Sequence, residues 1–220
     1  MDERLSGGGL ATAALHEASG ASSTLGDDAA ATLFAAGIAA RQSKTGGSIL
    51  WAFTRRDLFA PALHQAGLPP HRIIYAECRR DEDVLAIMEE GLRHRSLAAV
   101  VGEIGRVTMT ATRRLQLAAE NGGMTALMLR RWRRNGEDPL FPPSAAASRW
   151  RIGCVPSQPM PVRGIARSRW RIELVRQRGG PPHEWIMEGT DEAGRLACTA
   201  ESSHRSAAAD RREALDCHAA

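Results

Sequence analysis

The chain has 220 residues, of which 43% are apolar and 25% are charged, and its formal net charge is +4. This composition is typical of a mildly basic globular protein with one main domain, and it excludes a low-complexity chain. No apolar run approaches the ~20 residues that cross a bilayer, and the four cysteines form no Cys-x-x-Cys pair. Transmembrane proteins, zinc knuckles and disulfide frameworks are therefore not indicated, and we expect a soluble, cytoplasmic protein without a membrane partner.

The segment 16–34 has the pattern of a strand end, a turn and a helix start, which is where nucleotide-binding proteins hold phosphate. A phosphate-binding loop requires Gly-x-x-x-x-Gly-Lys-[Ser/Thr]. Gly20 and Gly26 are one residue too far apart, and Asp27 and Asp28 follow where Lys and Ser/Thr are required. Carboxylates there would repel phosphate, whereas a helix cap contributes about 1 kcal/mol. We therefore interpret this turn as a degenerate nucleotide site with Asp27 or Asp28 capping the first helix.

Short apolar runs then alternate with helix patterns. The runs have the form of fully buried parallel strands and lie at 49–53, 73–76, 97–101 and 125–129. Helices are predicted at about 58–65, from a cap at Asp81 to about 95, and at about 110–121 with Gly122 as terminator. Strands and helices that alternate at these spacings predict an α/β fold, with a mostly parallel sheet covered by helices on both faces.

The end of the third apolar run is a second place to look for catalysis. A magnesium-dependent ATPase needs an Asp there, but this chain has Gly102 and then Glu103. Glu103 could polarise a water molecule, yet without a phosphate-binding lysine it has no substrate to act on. We therefore assign Gly102 and Glu103 to the degenerate nucleotide site, with Glu103 paired to an arginine such as Arg113.

The pattern changes after residue 130. Residues 130–148 are rich in Pro, Gly and charge, which predicts a surface loop. The sequence SRWRI occurs at 148–152 and again at 168–172, with apolar residues alternating with Arg. These two segments should pair antiparallel at one edge of the sheet, with 183–187 as a possible third strand. We expect one domain over 1–190 and a flexible tail over 191–220.

Six segments between about residues 7 and 188 form a recognisable set. They are GGGLATAALHE, GSILWAF, VVGEIGRVTMTATRRLQLAAENGG, SRWRIGCVPS, SRWRIELVRQRGG and EWIME. Together they resemble the ImuA family, the RecA-like accessory proteins of bacterial inducible mutagenesis cassettes. The resemblance implies a RecA-like core whose partners are the cassette's inactive Y-family polymerase homologue, an error-prone replicative-type DNA polymerase, and also RecA and single-stranded DNA.

Arginines are the strongest positive signal for binding. RecA-like proteins bind single-stranded DNA through loops in this half of the core, and guanidinium groups with an interleaved indole suit that ligand. The candidate nucleic-acid or partner-binding residues are Arg113, Arg114, Arg130, Arg131, Trp132, Arg133, Arg134, Arg149, Arg151, Arg169, Arg171, Arg176 and Arg178. The alternative is that these arginines are solvated or paired with carboxylates such as Glu173 or Glu184.

Two classes of function remain. The first is a non-catalytic adaptor in the SOS response, acting in damage-induced translesion synthesis with no cofactor, metal or catalytic residue. The second is a divergent RecA-type ATPase that binds nucleotide between subunits, and a regulator of the RecA filament or of cell division is a further alternative. The seven histidines show no His-x-x-x-His spacing, so we interpret each as a surface residue or a satisfied polar group.

Overall fold

The computed structural model describes residues 1–43, 46–94, 96–133, 136–158, 163–164 and 166–198. The strands are β1 (Leu15–Gly20), β2 (Ser48–Phe53), β3 (Ile73–Glu77), β4 (Leu97–Ile104), β5 (Thr125–Arg130), β6 (Ser148–Val155), β7 (Arg169–Gln177), β8 (His183–Glu188) and β9 (Ala197–Cys198). The helices are α1 (Leu25–Gln42), α2 (Ala60–Gln65), α3 (Asp81–Gly91) and α4 (Met109–Gly122), with short 3-10 turns at Asp2–Arg4 and Pro70–Arg72.

All nine strands form one sheet in the order β3-β2-β4-β5-β1-β6-β7-β8-β9. The strands from β3 to β6 in this order are parallel to one another, and β6, β7, β8 and β9 pair antiparallel. The predicted fold class is therefore confirmed, including the antiparallel set at the C-terminal edge. The two SRWRI segments pair with each other, since Ile152 lies opposite Ile172.

The sheet buries apolar side chains on both faces. On the α1 face, Phe34 packs against the indole of Trp150 with ring centroids 5.5 Å apart. On the α3/α4 face, Met88 and Leu115 belong to a second core cluster with Met128 of β5. Side chains of a strand alternate between its faces, so residues next to each other at a strand end serve different cores.

Helix ends differ from the sequence prediction in detail. The prediction that Asp27 or Asp28 caps α1 is wrong, because Thr24 is the N-cap and its side chain accepts a hydrogen bond from the Asp27 N–H at 3.4 Å. Arg80 rather than Asp81 is the N-cap of α3. The left-handed terminator of α4 is Gly123, with φ of 65°, and not Gly122.

The described fold extends beyond residue 190. β9 pairs with the end of β8, so that Met187 lies opposite Cys198. The flexible tail remains a prediction for 199–220, which lie outside the described residues. Within the described ranges, no helix combines the length and the apolarity that a membrane crossing requires.

One histidine is fully buried in β1. His16 is 2% exposed and lies between the carbonyl oxygen of Ala11, at 2.8 Å from Nε2, and the hydroxyl of Ser148, at 2.7 Å from Nδ1. Burial lowers its pKa from 6.5 to about 4, against a smaller opposing effect of the Ala11 hydrogen bond. His16 is thus a satisfied polar group, which is one of the two alternatives that the sequence left open for each histidine.

Candidate functional site

The turn between β1 and α1 is closed by its own contacts. A Cβ atom on Gly20 would lie 2.9 Å from the backbone carbonyl carbon of Asp27, so only glycine fits where the strand meets the helix. The Asp27 carboxylate accepts hydrogen bonds from the Ser22 hydroxyl at 2.6 Å and from the Cys154 N–H at 2.7 Å. The turn is therefore tied to β6, and it presents a carboxylate where a phosphate-binding loop presents amide groups.

The guanidinium of Arg131 lies directly beside this turn. It donates to Asp28 Oδ1 at 2.8 Å and, through Nε and Nη2, to Glu103 Oε2 at 3.0 and 2.8 Å. The second Glu103 oxygen accepts from Trp51 Nε1 at 2.8 Å. Burial lowers the pKa of Arg131, but Glu103 and Asp28 together raise it by more, so the net shift is upward and the side chain stays charged.

Trp132 completes the closure. Its indole N–H donates to the carbonyl oxygen of Gly20 at 2.8 Å, so the segment after β5 is fixed to the end of β1. Arg55 also contacts Asp28, at 3.2 Å, and Asp57, so this cluster has two cations and three carboxylates. The predicted degenerate nucleotide site is thus filled by the chain's own charged side chains.

Gly102 has a packing role. A Cβ atom at this position would lie 2.1 Å from Sδ of Met88 and 3.1 Å from Cγ1 of Val84. The glycine therefore allows α3 to lie close against β4. The predicted pairing of Glu103 with Arg113 is wrong, since Glu103 bonds to Arg131 and Trp51.

A second ionic cluster lies on the α3/α4 face and joins the middle of β1, the end of β5 and the start of β6. Glu17, with no exposed side-chain surface, accepts from Arg149 Nε at 2.7 Å and from Arg130 Nη1 at 3.3 Å. The Ser144 hydroxyl donates to the same carboxylate at 2.8 Å. The prediction that Arg130 and Arg131 belong to an exposed loop is wrong, because Arg130 ends β5 and both side chains are buried.

Most other candidate arginines lie in surface ion pairs or backbone contacts. Their partners are Glu89 for Arg114, Asp138 and Glu173 for Arg151, Glu184 for Arg171, the Ser144 carbonyl for Arg176 and Glu120 for Arg178. Arg169 begins β7 opposite Glu188, and Arg113 and Arg133 are exposed. Arg134 lies outside the described residues. Contact of these arginines with DNA or a partner stays a prediction.

The buried carboxylate Glu17 was not identified from the sequence. Its signal was a charged residue inside a strand, LHEASG, whose six residues are all buried. A charge at a central strand position requires a buried partner, and two arginines and a serine supply it here. Across the ranges that the structure describes, no three His, Cys, Asp or Glu side chains are grouped so as to hold a metal ion.

Comparison with known proteins gives one clear relationship. No family model matches the chain. The chain is 38% identical over 200 residues to Protein ImuA of Caulobacter vibrioides strain NA1000/CB15N, and the match covers 88% of this chain and 82% of that protein. Protein ImuA of strain ATCC 19089 of the same species matches with the same identity and coverage.

Proposed function

Because the chain belongs to the ImuA family, we propose that it is a non-catalytic RecA-like adaptor in damage-induced translesion DNA synthesis. In this role the α/β core serves as a docking platform. The protein then acts by binding its partners and not by hydrolysing a nucleotide.

The observation that supports a non-catalytic role is the position of Arg131. Its guanidinium binds Asp28 in the first turn of α1 and Glu103 at the end of β4, the two places where an ATPase of this architecture would hold phosphate and magnesium. Nucleotide could enter only if this buried cation left both carboxylates. Those carboxylates would then face a negative ligand, which is electrostatically unfavourable.

Titration calorimetry with ATP and magnesium tests this point. We expect no saturable heat with the wild-type protein, since the site is filled and its turn is acidic. Tight, magnesium-dependent binding would overturn the non-catalytic role and support a divergent ATPase instead. An ATP titration of the Asp27→Ala variant is a useful companion, because removing one carboxylate should still not create a site while Arg131 remains in place.

The proposed partners are the inactive Y-family polymerase homologue and the error-prone replicative-type polymerase of the same cassette, with RecA and single-stranded DNA as further candidates. Co-purification of the full chain with each polymerase protein tests the adaptor role. A second chain that ends at Cys198, the last described residue, separates binding by the folded domain from binding by residues 199–220. Failure of both chains to retain either polymerase protein would contradict the proposal.

A further inference from the structure

An open cavity of about 490 Å³ lies at the carboxyl ends of β4 and β5 on the α3/α4 face. It shares Arg131 with the predicted degenerate nucleotide site, but Asp28 and Glu103 of that site are not part of its wall. Its wall includes Arg106, Thr108, Arg130 and Arg133. The volume suits a small ligand of nucleotide size or a short stretch of polymer backbone.

The buried wall of this cavity contains an arginine whose hydrogen bonding is incomplete. Arg130 and Arg149 share the carboxylate of Glu17, and Asp81 is a second carboxylate that acts electrostatically on Arg130. Arg130 is 2% exposed, and its Nε atom has no hydrogen-bond partner among the described residues. A buried guanidinium N–H without an acceptor is costly, and an anion that accepted a hydrogen bond from it would remove that cost.

The pKa of Arg130 reflects its burial. Burial is the largest effect and lowers the pKa, Glu17 and Asp81 raise it, and the nearby Arg149 lowers it, so the net shift is downward. Arg131 shows the opposite net shift because it has two carboxylates of its own. The two neighbouring arginines therefore differ in how completely the protein neutralises them.

Two exposed arginines and a helix start form the rim. Arg106 and Arg133 make no ion pair within the described part of the chain, and Arg133 Nη1 would lie 3.5 Å from a Cβ atom on Gly105. Asp81 orders this rim by accepting hydrogen bonds from the N–H groups of Gly105 and Arg106 at 3.0 and 2.9 Å. The helix α4 begins at the same rim, and its N-terminal dipole favours an anion.

Carboxylates also surround this cavity. Asp138 is bound by Arg151 at 2.5 Å, and Glu82 and Glu137 match Arg106 and Arg133 in number. The attraction for an anion therefore comes from the incomplete hydrogen bonding of Arg130 and from the two rim arginines, not from an excess of positive charge.

We propose that this cavity binds a phosphate group through Arg130, Arg106 and Arg133. Phe141 precedes the lining residue Pro142 in the chain, and its side chain is 88% exposed. An exposed aromatic ring in this segment favours a phosphodiester of a single strand as the source, because such a ring can stack on a base. That source rests on the proposed function. The alternative source is a free phosphate or pyrophosphate, and the same site would bind it.

The test uses inorganic pyrophosphate and a fluorescein-labelled oligothymidine as probes at constant ionic strength. Thermal unfolding measures pyrophosphate binding, and fluorescence anisotropy measures strand binding. We expect the wild type to bind at least one probe and the double variant R106Q/R133Q to bind it about tenfold more weakly, equivalent to about 1.4 kcal/mol. The control R4Q/R41Q removes two exposed arginines away from the cavity and should retain binding.

Two further variants sharpen the result. R130M leaves Glu17 and Arg149 as a matched pair, so the protein should fold and lose its response to pyrophosphate. F141A should weaken strand binding about tenfold without changing pyrophosphate binding if a strand is the source. If only pyrophosphate binds and F141A has no effect, the phosphate site stands with the free ligand as its source.

The proposal is overturned if neither probe binds, or if R106Q/R133Q and R4Q/R41Q weaken binding equally. Partner capture is measured separately for R106Q/R133Q. Loss of probe binding with polymerase capture intact supports the phosphate site and leaves the adaptor role untouched. Absence of probe binding by the wild type, with capture intact, overturns the phosphate site alone.

Discussion

Replacing Arg131 with methionine tests whether the buried carboxylate of Glu103 depends on this guanidinium. The Glu103 side chain is 3% exposed and would keep only the hydrogen bond from Trp51. Asp28 is 18% exposed and would keep its contact with Arg55. Breaking one partner out of a buried pair costs about 3–5 kcal/mol, and the remaining Trp51 bond places the expected loss near 3 kcal/mol.

The assay is urea unfolding followed by circular dichroism, which compares the free energy of unfolding of the wild type and R131M. R133M is the matched control, because Arg133 is exposed and its loss should change stability by less than about 0.5 kcal/mol. The double variant R131M/E103Q should recover much of the loss, since the amide that E103Q introduces is neutral and its oxygen could still accept from Trp51. A loss below about 1 kcal/mol in R131M, or no recovery in the double variant, would refute the buried-pair reasoning.

Three more predictions concern the stability of the wild-type fold. The pKa of His16 is lower in the folded state than in the unfolded state, so the unfolded state binds the proton more strongly and stability should fall by up to about 3 kcal/mol as the pH drops from 6.5 to 4. Urea unfolding across this range should show a smaller pH dependence in H16Q, and an unchanged one would contradict the assignment. G102A should lose about 1–3 kcal/mol of unfolding free energy because its methyl group would overlap Met88. G26A is the control in thermal unfolding, since its methyl group would lie at an ordinary 3.7 Å from Cys154 Sγ, and an equal loss in both variants would rule out overpacking as the cause. D27A should lower the free energy of unfolding by about 1–2 kcal/mol, because it removes the acceptor of the Cys154 N–H and of the Ser22 hydroxyl. The control D2A, at the exposed N-terminus, should change the free energy of unfolding little. Equal effects of the two variants in chemical unfolding would contradict the stabilising role of the turn.

The arrangement of strands could be predicted because each parallel strand has a continuous apolar run. The run at 97–101, for example, contains Val100 and Val101, which pack into the two opposite cores. The repeated SRWRI pattern likewise predicted the antiparallel pair, since Trp150 and Trp170 alternate with arginine and are both buried. Local periodicity carries this information because the position of a residue along the strand determines the face of the sheet on which its side chain lies.

The state of each arginine could not be predicted in this way. Arg130 and Arg131 stand in a segment rich in arginine, proline and glycine, which has the composition of a surface loop. Their carboxylates are far away in the chain, 113 residues for Glu17 and 103 for Asp28. Whether a charged side chain is buried depends on such distant partners. The composition of this segment therefore predicted exposed arginines, although the fold buries them in ion pairs.

The sequence feature that could have predicted these ion pairs is a carboxylate in each of two central strands. Glu17 and Glu103 stand among apolar residues of β1 and β4, and each needs a cation within reach. Counting carboxylates in buried strands against arginines at the ends of neighbouring strands would have pointed to Arg130 and Arg131. It would not have shown that two arginines share Glu17, because that depends on Arg149 joining from β6.

The two arginines at the end of β5 also fix the register of this strand in the sheet. Arg130 and Arg131 are consecutive, yet one reaches Glu17 on the α3/α4 face and the other reaches Glu103 on the α1 face. A shift in the register of β5 by one residue would place each guanidinium on the opposite face of the sheet. Both buried carboxylates would then lose their arginine partner. Insertions or deletions within this strand should therefore be far less tolerated than those in the segment that follows it.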